Sequence, residues 1–193
     1  MQPQLQEKRG QTQAITEHNF FKKGQRIMRM SVSSYNQMNN LAGMCFNANA
    51  IIDNLAYSLD YHYYNRIAAI VHHNMAHIMP VWADVVTDKM LELSARPVRK
   101  DINGYEKDYS DLKEIFRTLF ETFMTMRKAV IELIESADMD GDDEVRIFGE
   151  DFLGPLSVFI KQSEEWMDAS EKLDNNTLNI HINDYTHFIS IED

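Results

Sequence analysis

The chain has 193 residues, 44% of them hydrophobic, and carries a formal net charge of −11. That length and apolar fraction suffice for one soluble domain with a full core, and no apolar run approaches the roughly 20 residues that span a bilayer. An acidic body of this kind repels phosphates, which excludes most of its surface as a nucleic-acid grip.

The first thirty residues differ in sign. They hold Lys8, Arg9, Lys22, Lys23, Arg26 and Arg29 against only Glu7 and Glu17. A basic arm over 1–30 on an acidic body can contact DNA, dock on the body's own negative surface, or keep a tail solvated. Its opening MQPQLQEKRG lacks the apolar core of a secretory signal, so a cytoplasmic protein is expected. The single cysteine, Cys45, lies between Met44 and Phe46 and cannot form an intramolecular disulfide; a buried thiol is the expected role.

Only 7 glycines and 4 prolines interrupt the chain, and its apolar residues recur at helical spacing, so an all-α architecture is expected. A first long helix is predicted from about Val32 to Asp60, through Met38, Leu41, Phe46, Ile51, Ile52, Leu55 and Leu59. A second is predicted from Asn65 to Ala95, bent or restarted at Pro80, where one backbone hydrogen bond is lost. Arg96-Pro97 ends it, and a linker from Val98 to Tyr109 follows with Asn103-Gly104 as its turn signal. Asp111 and Glu114 form a capping-box pattern for a third helix running to about Ala137. An acidic loop, Asp138 to Glu144, leads to a fourth helix over Val145–Leu173, with a break expected near Gly154-Pro155.

These elements make a four-helix bundle over 31–174. In the tail, 175–193, Leu178, Ile180 and Ile182 alternate with polar residues, and Phe188, Ile189 and Ile191 follow an Asn183-Asp184 turn. A short β-like tail or hairpin is the local expectation, packed on the bundle or on a second subunit.

The residues that carry chemistry are concentrated between Tyr61 and Lys89. His73, His77, Asp84 and Asp88 are spaced 4, 7 and 4 residues apart. On one helix they share a stripe roughly 60° wide, and His72 falls about 100° from His73, off that stripe. Mixed imidazole and carboxylate sets suit borderline first-row metals such as iron, manganese or zinc. The phase of the stripe across Pro80 is left open. No glutamate is followed three residues later by histidine, which argues against a di-iron site in the bundle core, and the zinc-hydrolase pattern His-Glu-x-x-His is absent too. Asp138-Met139-Asp140-Gly141-Asp142 resembles the start of an EF-hand calcium loop, but Asp143 stands where glycine is needed and Glu150 falls one place late. A solvated acidic loop ahead of a helix N-terminus is the simpler expectation.

Three passages resemble the Dps-type mini-ferritins, whose ferroxidase centre lies between two subunits. Tyr61-His62-Tyr63-Tyr64-Asn65-Arg66 is similar to the family's Leu-His-Trp-x-x-Lys/Arg passage; Asp84 to Val98 resembles its Asp-x-x-Ala-Glu-Arg run and Leu-Gly-Gly-x-Pro-like helix ending; Ala137 through Gly141-Asp142 to Trp166-Met167 resembles its acidic third loop and last-helix Trp-Met. The resemblance spans most of residues 32 to 173. It implies a ferritin-like fold and iron as Fe²⁺ and Fe³⁺, with a homo-oligomeric, dodecameric shell. Residue by residue it assigns His62 as a ligand histidine, Asp84 as the ligand aspartate and Asp88 at the position of a ligand glutamate.

The family's second histidine falls on Ala69, and His73 replaces it if about one helical turn is deleted; His77 is a ligand or supports one. Ser94-Ala95 stand where the family has a glycine pair. Two functions follow. One is iron storage with oxidation of Fe²⁺ by peroxide or oxygen at an inter-subunit site formed by His62, His73, Asp84 and Asp88. The other is a non-catalytic ferritin-like structural or packaging component of a larger assembly, DNA-associated through the arm.

Overall fold

A computed structural model describes residues 27–187. The first helix, α1, spans Val32–Tyr61, close to its predicted bounds. Ser31 caps it by accepting a hydrogen bond from the Ser34 amide at 3.0 Å. The second predicted helix is divided: α2 covers Asn65–Ile70, a π-helical turn Val71–Ala76, and α3 Ile78–Glu92. Pro80 therefore sits in the first turn of α3, and the departure from α-helical winding lies upstream of it. Pro80 has no N–H for the Ala76 carbonyl four residues earlier. Asn49 of α1 donates its Nδ2 to that carbonyl at 3.1 Å instead.

Two residues hold left-handed backbone although they carry side chains, Tyr63 at φ 65 after α1 and Ser94 at φ 60 after α3. Ser94 occupies the position at which a helix end favours glycine. The chain then crosses the length of the bundle without regular structure. Asn39 accepts from the Val98 amide at 2.7 Å, Asn47 from the Asn103 amide at 3.0 Å, and Asn54 donates to the Lys107 carbonyl at 2.5 Å. The three asparagines follow one another along α1 as their partners follow along the crossover. The crossover thus runs parallel to α1.

Helix α4, Leu112–Asp140, starts at Asp111, whose Oδ1 accepts from the Lys113 amide at 3.2 Å. Glu114 pairs with Lys107 at 2.6 Å. Gly141, at φ 72, ends α4 three residues later than predicted, and α5, Asp143–Lys172, begins almost at once. The predicted acidic loop is accordingly a two-residue junction. Arg146 draws its carboxylates together, lying 3.8 Å from Asp138, 3.4 Å from Asp143 and 2.7 Å from Glu150.

α5 passes through Gly154-Pro155 without the expected break. Both residues are exposed, so water can serve the carbonyl that Pro155 leaves without a donor. At Gly149 a Cβ would lie 2.7 Å from Ile134 Cγ1, which shows how closely α4 and α5 approach.

The tail corrects the β expectation through residue 187. α6 covers Asn175–His181 and a 3₁₀ turn covers Ile182–Tyr185. Asp174 caps α6, accepting from the Thr177 amide at 3.0 Å and its hydroxyl at 2.6 Å, bonds that hold its carboxyl below the usual range. Leu178 and Ile182 are fully buried while Ile180 is 55% exposed, so the decisive spacing is four, not two. The second half of the expected hairpin, 188–191, lies outside the described residues.

α1 and α3 pack as one antiparallel pair and α4 and α5 as another, with the single long crossover between them. Their shared core includes Met38, Leu41, Leu55, Phe116, Phe123 and Trp166. Cys45 is fully buried, and burial pushes its thiol up to about 12. Among the described residues no helix is long and apolar enough to cross a membrane.

Candidate metal centre

Among the described residues no Asp, Glu or His is fully buried in the bundle interior. Its buried polar residues among those described are Ser34, Asn39, Ser58, Asn74, Ser136, Gln162, Ser163 and Ser170, with no Asp, Glu or His. Of the ligand candidates, Asp84, Asp88 and His77 are exposed, and His62 and His73 are half-buried.

His62 follows α1 as its C-cap residue, with its side chain 29% exposed and Nε2 4.0 Å from Asp108 Oδ1. That nitrogen is shielded from solvent and makes no hydrogen bond among the described residues. Asp84 and Asp88 are exposed, one turn apart on the outer face of α3. Asp84 borders a groove of about 320 Å³ shared with Phe46, Leu91, Arg99 and Lys100, and the Arg99 guanidinium lies 3.5 Å over the Phe46 ring.

His73 and His77 lie at the π-helical turn. Their ring centroids are 5.4 Å apart, and His72 joins them at 5.0 Å from His73 and 4.4 Å from His77. The expectation that His72 stands apart is corrected here, because a π turn closes five residues later instead of four. The His77 amide donates to the His72 carbonyl at 3.1 Å, and the two Nε2 atoms meet at 2.8 Å.

The same turn shifts the phase of everything after it, so the four-residue stripe is not one straight line. His73 and Asp84 are also separated by about 16 Å of helical rise and cannot bind one ion within one chain. Among the described residues, no three His, Cys, Asp or Glu side chains are grouped to hold a metal ion.

Sequence reasoning missed the polar row that α1 presents to the π turn. Asn49 touches Ala76, Asp53 accepts from Asn49 at 3.1 Å, and the Tyr57 ring meets His72 at 6.1 Å. Their spacing of four along α1 was the available signal. Of the arm's six cations only Arg29 is described. It donates to the Glu92 carbonyl at 2.8 Å and lies 3.7 Å from Glu144, so it serves the body. Lys8, Arg9, Lys22, Lys23 and Arg26 lie outside the described residues.

No protein-family model matches the chain, and no curated protein matches it by sequence. Among solved structures, an open-pore ferritin from the hyperthermophilic archaeon Archaeoglobus fulgidus superposes with a TM-score of 0.77, covering 84% of this chain and 100% of that chain. The fold is ferritin-like. Identity over the match is 12%, so the likeness concerns architecture, and function has to be argued from the side chains.

Proposed function

We propose that this ferritin-like chain binds and oxidises Fe²⁺ at a site of the Dps type, completed by a second copy within a closed homo-oligomer of twelve chains. The observation that carries this reading is the placement of the ligand candidates. Asp84 and Asp88 are exposed on α3, and no Asp, Glu or His among the described residues is fully buried in the bundle. In this reading the carboxylates of one chain meet His62 and His73 of its two-fold partner. Iron here is the substrate. Each Fe²⁺ surrenders one electron; one peroxide accepts two electrons and two protons to give two waters, and the ferric product is stored as mineral. The exposed acidic surface draws Fe²⁺ inward.

Ferric absorbance after adding Fe²⁺ with peroxide or oxygen tests this directly. Removing two first ligands in Asp84→Ala/Asp88→Ala is expected to slow oxidation by at least about tenfold. Equal rates in the two proteins would sink the oxidase reading. Particle sizing tests the assembly, since a monomer is incompatible with a shared site.

A specific observation favours the second reading, a structural component without catalysis. Arg99 and Lys100 share the groove with Asp84 and compete with a cation there. A closed particle that oxidises iron no faster than the double variant would establish that reading.

A further inference from the structure

The imidazole pair at the π turn lies apart from the carboxylates of α3 and has its own supporting residues. We propose that His72 and His77 form a binding site for a borderline divalent first-row cation, of the zinc, cobalt, nickel or ferrous class, on the outside of the bundle. Their Nε2 atoms converge to 2.8 Å with the ring planes at 88°. Two nitrogens sharing one tetrahedral ion at a zinc–nitrogen distance of about 2.0–2.1 Å stand roughly 3.3 Å apart. A small opening of the pair therefore admits the ion, and imidazole nitrogen is the ligand this metal class prefers.

The convergence is imposed by the backbone. In an α-helix, residues five apart diverge by about 140° around the axis. The π-type bond from the His77 amide to the His72 carbonyl brings them into register. Asn49 holds the turn in place through the Ala76 carbonyl and fixes Asp53 Oδ2 at 3.1 Å with the same amide group.

Asp53 lies between Asn49 and Tyr57 in the α1 row that faces this turn. Its other oxygen, Oδ1, is shielded from solvent and accepts no hydrogen bond from the described residues. Through Asn49 that carboxylate is tied to the Ala76 carbonyl of the turn, and its negative charge is one that a cation bound there offsets. His77 is exposed and His72 is half-buried, so the pair is open to ions, and water fills the remaining coordination positions.

This site does not rest on the oxidase reading, and the test separates them. Co²⁺ and Zn²⁺ are titrated into the full-length Asp84→Asn/Asp88→Asn protein, which lacks the proposed iron carboxylates, following cobalt visible bands and heat. Saturable binding is expected to persist, to weaken at least about tenfold in His72→Asn and in His77→Asn, and to weaken less in Asp53→Asn. Should the histidine variants fail to fold, protection of His72 and His77 from acylation by diethylpyrocarbonate in the unaltered protein reports the same contact. Saturable binding that the histidine variants leave intact, or zinc that fails to protect those two residues, overturns the proposal.

Discussion

The α4–α5 hairpin and the α1–α3 pair are both antiparallel helix pairs, yet they are built by different rules. The hairpin keeps α-helical winding from Leu112 to Lys172 across a two-residue junction, with Phe116, Phe123 and Trp166 fully or almost fully buried at its centre. The α1–α3 pair carries the departures. It has a π turn, two side-chain-bearing residues in left-handed backbone, and a row of asparagines that serve backbone groups elsewhere. One pair is held by packing and the other partly by directed polar bonds. The candidate chemistry falls entirely on the second, where local regularity has been given up.

The contrast predicts a ranked set of stability losses. The largest belongs to the hairpin. Trp166 is fully buried, packs 5.6 Å from the Phe116 ring and donates from Nε1 to the Tyr185 carbonyl at 3.0 Å. Trp166→Ala is expected to cost about 3–5 kcal/mol in denaturant unfolding, through the cavity it leaves. A loss below that range would mean that the hairpin is not the packed half of the molecule.

A smaller loss tests the polar half. Asn49→Leu leaves the Ala76 carbonyl and Asp53 Oδ2 without their donor, and the expected cost is about 1–3 kcal/mol. Adding Pro80→Ala supplies an N–H for that carbonyl, so the two substitutions should be non-additive, with the double variant recovering part of the loss. Strict additivity would show that Asn49 does not substitute for the bond Pro80 lacks.

The long helices are legible because their apolar spacing is strong and Asp111 and Arg96-Pro97 mark limits in the sequence, whereas the Ser31 cap and the Gly141 stop emerge from the structure. The tail was misread because Leu178, Ile180 and Ile182 satisfy a period of two as well as a helical period, and the Asp174 to Thr177 cap that decides the matter was overlooked. The candidate site rests on residue types alone. Asp84 and Asp88 are exposed and His62 is half-buried, but the π turn is not legible, because one extra residue in a turn leaves no periodic trace over so short a span. It moved His72 onto His77 and changed which histidines are neighbours. Pairing between chains is outside what one sequence encodes by spacing.

The finest test of the contrast concerns backbone, not side-chain contact. Ser94 holds φ 60 at the end of α3, and its amide reaches the Leu91 carbonyl at 3.0 Å while the Ala95 amide reaches Met90 at 2.8 Å. Left-handed backbone costs a non-glycine residue roughly 1–2 kcal/mol, whereas glycine accepts it freely and gives back part of that gain as entropy of the unfolded chain. Ser94→Gly should therefore stabilise the protein by about 0.5–1 kcal/mol. Gly141, at φ 72, already occupies the same conformation at the end of α4, and Gly141→Ser should lose a similar amount. Opposite signs of like size at two helix ends would show that the α1–α3 pair carries strain that the hairpin avoids. A loss at both positions would instead mean that the Ser94 side chain contributes more than its backbone costs.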